Sequence, residues 1–412
     1  MVNILLPIFL LSNLCVLLLE KISVRPEYFN SDIIKNMRVL IIGGGVAGLT
    51  LVGCLKKRGI ADITLVERAP QFQNMGFLIG FWENGRRVMR YLGIDTITER
   101  KGYEIAKSVM LDKKGKLLKT VTLMLPGTLG KTVIISRADL HEGLLTLLGG
   151  VKVKLGTKFT KIIQNEECAK VSFSDNTEEI FDIVIGADGI HSQVREHIFG
   201  KNFITRYGSG VWAYWLPKDF KYPMLPTQLL GNGKACFILP SGTSAVVSFI
   251  ARIPPGTGFT AKDRRAYLQD LFSEFGGLAA EALRVAPPSE SIWYDDISCV
   301  RMPRWYKKRV VLIGDAQHAV SPLVGMGSSM AMEDAFVLAE ELSLHSQDIE
   351  TALREFEKRR QRRMKKFLSL VNRIDGWFRA RGFLAVFRNW IVNYISDFRA
   401  EKILGELLKS DI

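Results

Sequence analysis

The sequence predicts an α/β fold with a doubly wound parallel sheet, an inserted strand-rich unit and helices at the C-terminal end. Three observations carry this reading. A buried-strand run, Arg38 to Ile42, meets the turn Gly43-Gly44-Gly45-Val46-Ala47-Gly48, then an apolar helix and a second strand from Ile63 to Glu67. Residues 181–195 and 309–329 each repeat a strand that enters a tight turn and a helix. Residues 199–295 show strand-like alternation, while those beyond 350 show helical periodicity and an excess of bases.

A chain of 412 residues has room for two to four folding units. With 47% apolar and 24% charged residues it is not a largely disordered chain. No repeat period is visible, which excludes a solenoid. Cys15, Cys54, Cys168, Cys236 and Cys299 form no CxxC pair. They read as five reduced thiols in a reducing compartment, with no zinc site.

The first turn has the spacing of a dinucleotide cradle inside a βαβ crossover, the Rossmann-like unit. Gly43 permits the tight turn, Gly45 lets the backbone approach a pyrophosphate, and Gly48 lets helix and strand pack closely. Val46 and Ala47 open the helix, whose free N–H groups and positive dipole end suit phosphate. Glu67 ends the second strand, where a carboxylate can accept both ribose hydroxyls. It would repel a 2′-phosphate, which leaves NAD and FAD as the nucleotide.

The two later segments narrow the choice. One runs Phe181 to Arg195 around Asp188-Gly189. The other runs through Gly314-Asp315-Ala-Gln-His318 and Pro322 to Gly325-Met-Gly327-Ser328-Ser329. In this order, over about residues 37–345, the three motifs resemble those of the FAD-dependent aromatic hydroxylases. These are single-component flavoprotein monooxygenases similar to para-hydroxybenzoate hydroxylase.

The resemblance implies tight, non-covalent FAD in a domain of the glutathione-reductase type. It also implies transient NADPH or NADH, O2, and a flavin C4a-hydroperoxide that hydroxylates or epoxidises an apolar, aromatic or polyene small molecule. Asp315 would accept from ribityl hydroxyls, and Pro322 would line the isoalloxazine. Gly325, Gly327 and Ser328 would aim a helix N-terminus at the flavin N1–C2=O edge. Arg137, in Ser136-Arg137-Ala-Asp-Leu140, would lie near the diphosphate and ribityl chain, and Arg68 near the adenosine. Asp188 would serve both FAD positioning and nicotinamide docking. His318 and His191 read as structural, and no catalytic base is legible.

The implied segmentation is an FAD-binding domain of residues 37–75, 105–198 and 296–350, and a substrate domain of 76–104 and 199–295. Basic amphipathic helices follow over 351–412. In the central strands Trp212 and Tyr214 share one face and Trp215 takes the other. One face should cover a pocket above the flavin, and the sequence does not say which.

The two ends keep alternatives open. Residues 1–36 hold an apolar run, Ile4 to Leu19, with no base before it. It reads as an extension ahead of a start at Met37 or a disordered arm, as a membrane anchor, or as a signal peptide. From Arg354 to Ile412 there are fifteen bases and seven acids, and Phe383, Phe387, Trp390, Ile391, Tyr394, Ile395 and Phe398 recur at helical spacing. This tail reads either as helices packed on the body with a solvated basic face, or as a peripheral contact with the cytoplasmic face of a membrane. A nucleic-acid partner is disfavoured, because the bases cluster beside an enzyme core. The rival functions on the same fold are a flavin-dependent reductase of isoprenoid double bonds and a non-catalytic protein like the dissociation inhibitors of small GTPases. The expected location is cytoplasmic.

Overall fold

The computed structural model describes residues 37–72, 76–122, 132–254 and 264–392. The run Ile4 to Leu19, Tyr394, Ile395 and Phe398 lie outside the described residues.

The strand Val39–Ile42 is buried along its whole length, as four consecutive apolar residues require. It pairs in parallel with Ile63–Glu67 on one side and Ile183–Gly186 on the other. The full order is Tyr306–Lys307, Val310–Leu312, Ile183–Gly186, Val39–Ile42, Ile63–Glu67, Lys152–Leu155. One neighbour of Val39–Ile42 is the next strand in the chain and the other comes much later, so its carboxyl end is a topological switch point, where open α/β sheets bind ligands. A separate antiparallel meander, Phe159–Gln164, Ala169–Phe173 and Glu178–Phe181, sits beside this sheet.

The second unit is a seven-stranded sheet ordered Trp293–Val300, Ile204–Trp215, Ala245–Arg252, Lys234–Pro240, Thr227–Leu230, Lys107–Asp112, Leu117–Thr122. Here the pairing departs from the sequence segmentation. Strands within 105–198 join the substrate sheet, because Lys107–Asp112 runs parallel to Thr227–Leu230 with Thr227 opposite Val109. Trp293–Val300 likewise crosses the boundary at 296 by pairing with Ile204–Trp215.

The sheet's two faces have different partners. Trp212 and Tyr214 pack with Phe249, Leu268, Phe272 and Phe275, under the helices Arg264–Leu271 and Gly277–Arg284. Val211, Phe237 and Ile250 pack on the other side with Leu323, next to Pro322, and with Phe378. The face carrying Val211 therefore meets the nucleotide domain.

The C-terminal helix Ile349–Phe378 is capped by Asp348, which accepts from the Thr351 amide at 3.0 Å. It buries Leu353, Phe356, Met364, Phe367 and Val371 at helical spacing. Its basic run is only in part the solvated face that composition suggests. Arg359 pairs with Glu340 and Glu341, and Arg360 and Arg363 pair with Glu333, all on the helix Gly327–Leu344. Lys358, Arg362, Lys365 and Lys366 remain exposed. Among the described residues no helix is long and apolar enough to cross a membrane.

Candidate active site

The first glycine turn sits at the switch point, and its glycines divide by physical role. Gly43 has φ +116°, and a Cβ there would lie 2.4 Å from the Ala187 carbonyl oxygen. A Cβ on Gly48 would lie 2.0 Å from the carbonyl oxygen of Gly43, so helix and strand touch backbone to backbone. Gly45 differs: a Cβ there meets nothing within 4 Å. It is the N-cap of the helix Val46–Lys57, which has no side-chain cap and no acid in its first turn. The helix thus presents unsatisfied N–H groups to open space.

Glu67 shapes this turn as well as facing it. Its carboxylate accepts from the amides of Gly44 at 2.8 Å and Ala69 at 2.9 Å. Further lone pairs remain for ribose hydroxyls. His141 holds the same turn, with Nε2 2.9 Å from the Gly44 carbonyl oxygen. The sequence reading assigned nothing to His141, although it directly follows the Ser136–Leu140 segment. Arg68 is exposed beside Glu67.

The third motif closes on the first. A Cβ on Gly314 would lie 3.0 Å from the Ala47 Cβ, and Gly314 takes φ +61°, ψ −142°, a region open essentially to glycine alone. Asp315 follows, exposed at its surface but with its carboxyl closely surrounded by protein. Enclosure pushes its carboxyl up, against the pull of His318 and of Arg137. Arg137 and Asp315, distant in sequence, thus act on each other in space. The Arg137 side chain makes no hydrogen bond or ion pair among the described residues.

Pro322–Val324 forms one helical turn, Gly325 follows at φ +63°, and the helix Gly327–Leu344 begins without a side-chain cap or an early acid. Gly325, Gly327 and Ser328 therefore surround a second bare helix N-terminus. The strand Leu78–Phe81 borders it, since a Cβ on Gly80 would lie 3.2 Å from the Gly325 carbonyl oxygen.

The second motif is chiefly a brace. Asp188 Oδ2 accepts from the amides of Gln193 at 2.8 Å and Val194 at 3.1 Å, capping the short helix Gln193–Phe199. Asp188 Oδ1 is buried with no hydrogen-bond partner among the described residues, and burial pushes the carboxyl up against the hydrogen bonds that Asp188 accepts. Arg195 is fully buried and donates to the carbonyl oxygens of Ile190 at 2.7 Å and Ala316 at 2.8 Å. It ties the second motif to the residue after Asp315, a role the sequence reading missed although Arg195 ends that motif.

Beneath the third motif lies a buried ionic cluster. Asp334 accepts from the Gly314 amide at 2.9 Å, His318 Nε2 at 2.6 Å and Arg360 Nε at 2.7 Å. Glu333 accepts from Asn84 at 2.8 Å and pairs with Arg360 and Arg363. His318 is therefore structural, as its sequence context suggests.

The residues fit FAD. Two bare helix N-termini suit a pyrophosphate and an electron-rich ring edge. Glu67 and Asp315 suit ribose and ribityl hydroxyls, and the space a Gly45 side chain would take is free. Asp315→Ala should weaken flavin retention about 10- to 100-fold, since a hydrogen bond to a charged group contributes about 1.5–3 kcal/mol. The flavin-to-protein absorbance ratio after purification measures this, and an unchanged ratio contradicts the assignment.

Fold and cradle together define a two-unit α/β flavoprotein. A family described as FAD binding domain matches residues 36–370, and the chain belongs to that family. The chain is 31% identical over 310 residues to the 2-heptyl-3-hydroxy-4(1H)-quinolone synthase of Pseudomonas aeruginosa, covering 74% of this chain and 80% of that one. It is 29% identical over 346 residues to the aurachin C monooxygenase/isomerase of Stigmatella aurantiaca, covering 82% and 88%. Among solved structures it is similar in fold to Klebsiella pneumoniae HpxO complexed with FAD and uric acid. That match has a TM-score of 0.80 and 24% identity, covering 91% of this chain and 96% of the other.

Proposed function

We propose that the protein is an FAD-dependent monooxygenase that uses NAD(P)H and O2 to hydroxylate or epoxidise an apolar aromatic small molecule. One oxygen atom of O2 enters the substrate and the other leaves as water, with two electrons from NAD(P)H. FAD, when bound, supplies the redox and oxygen-transfer chemistry. The chain's residues bind, orient and keep the site dry.

The observation that carries the reading is where the flavin-type loop sits. Leu323, within the Pro322 turn, packs with Val211 and Phe237 of the substrate sheet. The exposed residues Arg137, Asp315 and Gly325 thus open beside an apolar wall. Phe77, whose carbonyl accepts from the Arg137 amide at 2.9 Å, also contacts Trp215 and Trp293 at ring distances of 6.1 and 6.0 Å. Such a trio suits a planar apolar substrate beside the cradle. The names of the quinolone-forming relative and the aurachin monooxygenase support an aromatic heterocycle.

The test is NAD(P)H oxidation by the purified flavoprotein across phenols, alkylquinolones and polyenes, with peroxide measured in parallel. The expected result is a subset of aromatic compounds that stimulates oxidation while releasing less peroxide than NAD(P)H consumed. If peroxide accounts for all the NAD(P)H with every compound, the proposal is wrong.

A further inference from the structure

We propose that the helix Phe383–Val392 and the arginine-lined cleft at its amino end form a docking surface for an anionic lipid bilayer. The helix turns its aromatic side outward. Phe383 is 75% exposed, Val386 68%, Trp390 57% and Leu384 51%, whereas Ala385, Arg388 and Val392 are buried. Phe387 stacks between Phe383 and Trp390, at ring distances of 6.2 and 5.8 Å, so three rings make one continuous ladder. An amphipathic helix that ends in water would turn this side inward.

The orientation is fixed by polar contacts. The Arg388 guanidinium donates to the carbonyl oxygens of Gly231 at 2.8 Å and Trp377 at 3.3 Å. The Gly382 amide donates to Asn232 Oδ1 at 2.8 Å, at the left-handed turn where Gly382 has φ +56°. Rotating the helix to bury its rings would strip Arg388 of these acceptors and leave a charge buried without partners.

Charge complementarity selects the occupant. Immediately before the ladder, Arg381 joins Arg206 and Arg252 around an open cleft of about 520 Å³ that also includes Tyr207 and Ile253. All three arginines are exposed. Arg381 donates to the Arg252 carbonyl oxygen at 3.2 Å, and Arg206 stands 4.0 Å from Asp296. The Arg252 guanidinium makes no hydrogen bond or ion pair among the described residues. Aromatic rings for the acyl boundary beside arginines for phosphate headgroups are what a bilayer surface takes. A second copy of the chain docked face to face would bring like-charged arginines together. The proposal uses no residue assigned to the FAD cradle, so vesicle binding tests it apart from the catalytic reading.

The test is co-sedimentation of the full chain with phosphatidylcholine vesicles, with or without phosphatidylglycerol, and quenching of tryptophan fluorescence by brominated lipid. Two variant chains are compared: Phe383→Ser with Phe387→Ser and Trp390→Ser, and Arg206→Gln with Arg252→Gln and Arg381→Gln. Flavin absorbance reports that each has folded. The full chain should bind only the anionic vesicles and release as salt shortens the screening length. The arginine variant should bind on the order of 100-fold more weakly. The aromatic variant should lose binding, and Trp390→Phe should lose part of the quenching. Equal binding by both triple variants would overturn the proposal, assigning attachment to residues 1–36. So would equal binding to neutral vesicles. No binding at low salt would overturn it too, with chromatography then distinguishing a dimer from a face covered by residues 393–412.

Discussion

Gly45→Val is expected to yield a folded protein that emerges from purification without flavin. Gly45 sits at φ −85°, ψ −171°, extended backbone that valine adopts readily. A Cβ there meets no protein atom beyond its chain neighbours within 4 Å. The substitution therefore damages only what the open space is for. Forcing extra methyl groups against a close-packed partner costs up to about 3 kcal/mol, on the order of 100-fold in flavin affinity. Circular dichroism should match the parent while the visible flavin bands disappear. The neighbouring glycines behave differently: a Cβ at Gly43 or Gly48 strikes backbone, so substitution there disrupts the fold itself. A yellow Gly45→Val protein with parental stoichiometry would remove the pyrophosphate from this turn.

Arg360→Met should be the most destabilising single change in the C-terminal helix. Arg360 is buried, and its guanidinium faces both Glu333 and Asp334 and also donates to the Met330 carbonyl oxygen at 3.1 Å. Methionine fills much of the volume but leaves two buried carboxylates short of a counter-charge. Breaking one side of a buried pair typically costs about 3–5 kcal/mol. Because Asp334 also holds the Gly314 amide, flavin retention should fall along with the urea midpoint.

The same cluster sets an acid limit. Burial alone would raise the Glu333 carboxyl, but Arg360 and Arg363 outweigh it and hold it at about 2, from an ordinary 4.5. Asp334 is likewise depressed, by His318 and Arg360 against burial. A folded pKa below the unfolded one contributes stability above the unfolded value. That contribution is lost as pH falls from about 4.5 toward 2. Urea midpoints measured across this window should fall less steeply in Arg360→Met than in the parent.

How much was legible in the sequence follows from which constraints are local. The glycines at 43, 45 and 48 answer to backbone conformation and close approach within a single βαβ unit, so their spacing alone reveals them. The turns that carry Asp315 and Gly325 are legible because each sits in a short strand-turn-helix segment. The basic run from Lys358 to Lys366 misleads at three of its positions, because net charge carries no information about burial. Arg359, Arg360 and Arg363 answer acids at 333, 334, 340 and 341 on another helix, and only packing joins the two. The same limit hid the clamp made by Arg195 and the strands between 107 and 122, whose partner at Thr227–Leu230 is far along the chain. Alternation in Val211–Trp215 gave two faces. Only the contact with Leu323 decided which one meets the nucleotide domain.

Incubation of the purified flavoprotein with NAD(P)H, ¹⁸O₂ and a stimulating aromatic substrate tests the central claim most directly, with the product read by mass spectrometry. The account predicts a product heavier by one ¹⁸O atom, with no label from H₂¹⁸O and none formed by the Gly45→Val protein. A product that gains two hydrogens across a double bond and no ¹⁸O would contradict it and assign the protein to the reductases.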